Sequence, residues 1–232
     1  KQIRFGISEN YIAEALCRYI DISARLVHLF HLRFGLKECT PEQRDEEVNQ
    51  CEQQLIDALE GVDQLNEDRT IRRYIELIKA TLRTNFFQQD EKGQSKSYLA
   101  LKMNPAAISD MPLPRPMFEI FVYSPRVEGV HLRGGRVARG GLRWSDRSDD
   151  FRTEVLGLVK AQQVKNAVIV PVGAKGGFIA KCLPKEGGRD AFMAEGIASY
   201  QTFISALLDV TDNLVEGQVV PPQNVVRHDD DD

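Results

Sequence analysis

Residues 131–181 read HLRGGRVARGGLRWSDRSDDFRTEVLGLVKAQQVKNAVIVPVGAKGGFIAK, and the rest of the chain is arranged around them. Glycine comes in pairs at Gly134–Gly135, Gly140–Gly141 and Gly176–Gly177, with Gly173 just ahead of the last pair. Each cluster has cations beside it: Arg133 and Arg136, then Arg139 and Arg143, then Lys175. Between the second and third clusters lies a helix-like run carrying Lys160 and Lys165. Glycine lets a backbone approach a ligand closely. Cations beside such turns point to an anionic ligand.

Composition excludes several classes. The chain has 232 residues, 42% hydrophobic and 28% charged, which is ordinary for a globular protein with a sizeable core. Net charge is −4, so nothing global argues for nucleic acid or acidic lipid. The cations are local: six arginines against three aspartates from Arg133 to Arg152. Cys17, Cys39, Cys51 and Cys182 make no Cys-x-x-Cys pair and share no metal-like spacing with histidine, so they read as free thiols in a reducing, cytoplasmic compartment. No run of about 18 apolar residues is present to form a membrane span, and no secretory signal is visible. The start at Lys1 and the acidic end at Asp232 suggest a piece of a longer protein.

Outward from the glycine-rich stretch, the period of the apolar residues divides the chain. Residues 9–34 carry apolar side chains at three- and four-residue steps, so one amphipathic helix is expected there, stopped at Gly35. Thr40 and Pro41 open a second helix as N-cap and first helical residue. A third begins near Asn66, with a stripe through Ile71, Ile75, Ile78 and Leu82 to Phe86. The polar run 88–97 breaks this pattern. Strands are expected over 98–103, 117–123, 127–133 and 135–144, and a buried strand over 167–172. Helices are expected from Asp149–Asp150 through Lys165 and from Asp190 to Leu214. The fold class is α/β: a helical region over 1–96, then a mixed α/β domain over 97–232.

Three chemistry-bearing elements recur in order. They are Arg-Gly-Gly-Leu-Arg at 139–143, Gln162 with Lys165 on one side of a helix, and Gly-Ala-Lys-Gly-Gly at 173–177. A small dicarboxylate suits three separated cations, two to hold carboxylates and one left for chemistry. A lysine crowded by other cations and partly desolvated can act as a base. From spacing alone, three unrelated solvated basic loops remain the alternative. GAKGGF lacks the order of a nucleotide P-loop. His28 with His31 read as a packed or surface pair, Asp229–Asp232 as a solvated loop, and a metal site at His228 beside them is set aside.

These residues carry a resemblance. RGGLRW followed by QQVKNAVIVPVGAKGG resembles the substrate domain of glutamate dehydrogenases, and EIFVYSPRVEGVHLRGGRVARGGLRWSDR resembles the long-chain NAD-specific bacterial members in particular. The resemblance is specific over about residues 98–232. It implies that Arg139 holds one substrate carboxylate with Gly140 and Gly141, that Lys165 holds the other with Gln162, and that Lys175 is catalytic. Position 139 is Arg where the family usually has Lys, and the Lys165–Lys175 interval is shorter than in the smaller enzymes.

The implied reaction is oxidation of L-glutamate to 2-oxoglutarate and ammonia, hydride passing to NAD and the iminium being hydrolysed through a carbinolamine. No Gly-x-Gly-x-x-Gly opens a helix, so the dinucleotide (Rossmann) domain is expected outside this chain, and the family's acidic proton-relay residue beyond Asp232. The resemblance further implies a homo-oligomer as the full-length protein, while charge, hydropathy and the cysteine and histidine spacing argue against nucleic acid, a membrane and a metal as partners. A non-catalytic interaction fragment and an anion- or nucleic-acid-binding module are the rival readings.

Overall fold

A computed structural model describes residues 6–136, 139–166 and 173–231, with the backbone alone for 163–166. The helical part comprises α1 (Glu9–Arg18), α2 (Ile20–Phe34), α3 (Pro41–Ala58) and α4 (Leu65–Ala80). The helix expected over 9–34 is therefore two. Tyr19 leaves helical geometry at φ −106° and ψ 64°, and breaks the run. Tyr19 also donates its hydroxyl to Glu67 Oε2 at 2.8 Å, so the break is fastened to α4. The α3 start is as read: Thr40 Oγ1 accepts from Gln43 N, and Gln43 Oε1 accepts from Thr40 N. The apolar stripes close on one another in a core that includes Leu26, Leu29, Cys51, Leu55 and Ile71.

The helix expected to carry its stripe on to Phe86 is α4, which ends at Ala80, and Leu82 lies on strand β1 (Thr81–Thr84). The strands β2 (Leu99–Met103), β3 (Phe118–Tyr123), β4 (Val127–Arg133), β5 (Leu142–Trp144) and β6 (Ala174–Ala180) follow. They form one six-stranded sheet in the order β1-β2-β3-β4-β6-β5. Polar residues 88–97 connect its first two strands. Every pairing is antiparallel but the last, in which β5 runs parallel to β6. Of the strand expected over 135–144, only Leu142–Trp144 is one. It pairs with β6, 34 residues further on, not with its neighbour β4. The apolar run 167–172, read as a buried strand, lies outside the described residues.

Two helices cover the sheet, one on each face. α5 (Phe151–Asn166) packs Phe151, Val155, Leu156 and Val159 against Val130, Leu132 and Ile179. α6 (Gly188–Leu208) packs Phe203 and Ala206 against Ile120, Val122, Val127 and Phe178 on the other face. The helix expected to reach Leu214 stops at Leu208, and Asn213–Val215 with Gln218–Val220 forms a small hairpin, β7 and β8.

Buried charges tie the elements together. Arg152 of α5 makes a two-pronged pair with Glu119 of β3, both 2.7 Å, with side chains 2% and 3% exposed. Removing one partner of such a pair strands the other, at a cost of about 3–5 kcal/mol. Asp229 is a correction to the solvated reading of the terminal aspartates. Its carboxylate sits 2.6 Å from Arg83 Nε and 2.7 Å from Lys102 Nζ, both on the sheet and fully buried. Asp230 and Asp231 beside it are exposed, as a solvated run would be.

Candidate active site

The centre of the site is the join between β6 and the segment leading into β5. Ala174 N donates to Arg139 O at 2.9 Å and Gly176 N to Gly141 O at 3.2 Å. The Arg-Gly-Gly run therefore lies beside the Gly-Ala-Lys-Gly-Gly run, residue against residue. On the far side, β4 lines up Leu132 with Lys175 and His131 with Gly176. Strand alternation puts Lys175 and Gly177 on the α5 face, and Gly176 and Phe178 on the α6 face.

Glycine is needed here for close approach. A side chain at Gly140 would place its Cβ 1.5 Å from Ala174 O. At Gly176 a Cβ would meet Leu142 at 2.3 Å and His131 at 2.9 Å, and at Gly177 it would meet Val155 at 2.7 Å. Gly141 differs: the nearest atom to its Cβ position is Lys175 Nζ, at 4.0 Å. Gly141 is thus the glycine whose open side faces the lysine.

Gln162 reaches the same place from α5. Its amide nitrogen lies 2.8 Å from the Cβ position of Gly173, and Arg139 O lies 2.6 Å from that position. Arg139, Gly140, Gly141, Gln162 and Lys175, up to 36 positions apart in sequence, are therefore neighbours. The Arg139 side chain is exposed and that of Lys175 half-buried. Lys165 lies on the last turn of α5, one helical turn beyond Gln162, and its side chain is outside the described residues.

Arg133 and Arg136 do not join this group. The Arg133 guanidinium is buried over the Phe118 ring and donates to Arg136 O, so it ties the end of β4 to the turn that follows it. Sequence reasoning passed over Glu154, whose carboxylate takes Arg143 Nε at 2.7 Å and the Ser145 hydroxyl at 2.6 Å. An acidic residue in the first turn of a helix is too common a pattern to single it out. Among the described residues no three His, Cys, Asp or Glu side chains are grouped to hold a metal, and no helix is long and apolar enough to cross a membrane.

With this geometry in hand, comparison with known proteins decides the family. The family model described as bacterial NAD-glutamate dehydrogenase, catalytic domain, matches residues 54–232. The chain belongs to that family. A second model, glutamate dehydrogenase helical motif 3, matches residues 1–36, which hold α1 and α2. The NAD-specific glutamate dehydrogenase of Pseudomonas aeruginosa is 64% identical over the whole chain, that of Halomonas elongata 62%, and that of Mycobacterium tuberculosis 52%. The chain spans 14–15% of the length of these relatives. The α/β class and the resemblance drawn from the glycine and lysine motifs agree with this membership.

The described residues do not fit a dinucleotide. Their sheet is antiparallel in all but one pairing, and the Gly-rich strand-to-helix turn that receives a pyrophosphate is not among them.

Proposed function

We propose that this chain supplies the substrate site and the catalytic lysine of an NAD-dependent glutamate dehydrogenase, which converts L-glutamate to 2-oxoglutarate and ammonia. The observation that carries the reading is the convergence of Lys175 with Gly141, Arg139 and Gln162 at one sheet edge. Identity to proteins named for this activity supports it.

In this reading Arg139 pairs with one carboxylate of the substrate. Its planar fork can engage both oxygens at once, where a lysine offers a point charge. Lys165, with the Gln162 amide, holds the other carboxylate from the end of α5. The α-carbon and its nitrogen then lie over Gly141, where the missing side chain leaves space next to Lys175 Nζ. Lys175 takes a proton from the substrate nitrogen, gives it up to solvent through the acidic relay expected outside this chain, and, neutral again, orients and deprotonates the attacking water. Holding both carboxylates fixes the reacting carbon against the lysine, and such orientation removes much of the entropic barrier. NAD supplies the redox chemistry and is bound by a part of the polypeptide outside this chain. The full-length enzyme works in the cytoplasm as a homo-oligomer, without nucleic acid as a partner.

The test is Lys175→Ala in the full-length protein. Glutamate-dependent NAD reduction should fall by about 10²-fold or more, the scale set by loss of a positioned acid–base group. The circular dichroism spectrum should be unchanged. Turnover near that of the parent sinks the assignment.

A further inference from the structure

The segment that carries Arg139, Gly140 and Gly141 is held weakly by its own backbone. β5 is three residues long and, among the described residues, lies at the edge of the sheet and is bonded to β6 alone. Its register against β6 is Leu142 to Gly176, Arg143 to Gly177 and Trp144 to Phe178. A short parallel edge strand has little to stop it rolling about its axis. Any roll would carry Gly141 across Lys175.

Side chains grip β5 from both faces of the sheet. On the α6 face, Trp144 stacks on Phe192 with ring centroids 5.1 Å apart, and lies over Gly196, where a Cβ would be 2.2 Å from its ring. On the α5 face the grip is one carboxylate. Glu154 Oε1 takes Arg143 Nε at 2.7 Å, and Glu154 Oε2 accepts the Ser145 hydroxyl at 2.6 Å. Ser145 is buried and is itself fixed to β6, since its backbone N donates to Phe178 O at 2.8 Å. Its Oγ also accepts from Arg147 N, which closes the turn after the strand. Each oxygen of Glu154 thus holds a different residue, one on β5 and one just past its end. Glu154 precedes Val155, which packs into the space that Gly177 leaves open, so the helix turn bearing the carboxylate is seated on β6.

We propose that Glu154 is a positioning residue of the substrate site: its carboxylate clips β5 to α5 and so sets the height of Gly140–Gly141 over Lys175. The first-turn position alone would be satisfied by any acid near the helix N-terminus. The division of the two oxygens between Arg143 and Ser145 is what that account does not supply. The inference rests on the substrate-site reading given above. It adds a residue that touches no substrate and acts through the strand it holds. With the clip removed, Trp144 still fastens β5 to α6, so the fold stays while the loop loses its fixed height.

Full-length enzyme carrying Glu154→Ala, Glu154→Gln, Arg143→Ala and the Arg143→Ala/Glu154→Ala double change provides the test. Displacements of about 1 Å at a reacting centre can cost up to about 10²-fold. Glu154→Ala should raise the KM for glutamate by about tenfold on that scale, while the KM for NAD and the melting temperature stay near those of the parent. Glu154→Gln, which keeps an acceptor for Ser145, should lie between, and it serves as the reporting variant should the alanine form fail to fold. The double change should be no worse than Glu154→Ala, because both residues act through one contact. An unchanged glutamate KM overturns the proposal. So do a matching rise in the KM for NAD, a melting shift with substrate kinetics untouched, and additive effects in the double change. Lys175→Ala, measured beside them, separates the two claims. If it is inactive while Glu154→Ala is normal, only the positioning role fails; if it is active, the substrate-site reading itself fails.

Discussion

Gly140→Ala is the most demanding perturbation the site offers, since it adds one methyl group at the point of closest backbone approach. The new Cβ would sit 1.5 Å from Ala174 O and 2.6 Å from Ala174 C, whereas an ordinary contact begins near 3.4 Å. The two backbones must therefore separate by about 2 Å locally, because the clashing atom is a carbonyl oxygen fixed in a strand and not the end of a flexible side chain. Two hydrogen bonds flank the clash, Ala174 N to Arg139 O at 2.9 Å and Gly176 N to Gly141 O at 3.2 Å. Losing both costs about 1–3 kcal/mol. Stability falls by that modest amount, because the rest of the sheet does not pass through β5. The functional cost is comparable in free energy but falls directly on turnover. A separation of 2 Å moves Arg139 and Gly141 away from Lys175, and misplacement of that size is worth on the order of 10²-fold in kcat/KM. Gly141→Ala is the matched control. Its Cβ meets Lys175 Nζ at 4.0 Å with no backbone clash, so it should leave stability unchanged and crowd only the substrate. The assays are urea denaturation and glutamate-dependent NAD reduction by the full-length protein. Parent-like kcat/KM in Gly140→Ala would refute the argument that these two runs must lie in contact.

Two further outcomes follow from the buried polar groups. Asp229→Asn keeps the shape but leaves Arg83 and Lys102 with one charge fewer to face, so urea denaturation should show a loss of about 3–5 kcal/mol, the usual cost of breaking a buried pair; a loss below about 1 kcal/mol would show that water reaches the cluster. His228 is packed edge-on to Phe34 with Arg33 near, and burial first, then the Arg33 charge, lowers its pKa from 6.5. The unfolded chain then holds the extra proton at the higher pH, so the contribution of His228 is complete above about pH 6.5 and is lost as pH falls through the lower folded value. The melting temperature should decline on acidification through that window, and His228→Leu should remove this part of the decline.

Local signals were legible in the sequence and long-range ones were not. The N-cap at Thr40, the strand at Phe118–Tyr123 and the helix after Asp150 each follow from residues within a few positions. The end of α4 was hidden, because Leu82 and Phe86 continue its four-residue spacing although Leu82 is a strand residue. The parallel β5–β6 pairing was hidden for another reason. Its register is set by which backbones can touch, and that depends on glycines on two segments more than 30 residues apart. Asp229 reads as one of four equivalent acids. Only the fold shows that it meets Arg83 and Lys102, each more than 120 positions earlier.

The glycines themselves change meaning once the strands are in place. Read along the chain, a glycine pair beside a cation suggests a cradle for an anion. In the structure, Gly140, Gly173, Gly176 and Gly177 are each closed off by protein atoms within 3.0 Å of where a Cβ would stand. Their smallness is used up by carbonyls, Val155, Leu142, His131 and the Gln162 amide, and leaves no room for a ligand on that side. Gly141 alone among the five opens toward a cation. The clustering of glycine therefore reports how tightly β5, α5 and α6 close on β6, and the proposed substrate position is the one place among these five glycines where that closure is incomplete. A reading that gave every Gly-cation pair its own carboxylate would place three anions here. Of the five glycines just named, Gly141 is the one that leaves such room, and the proposed substrate is seated there beside Lys175.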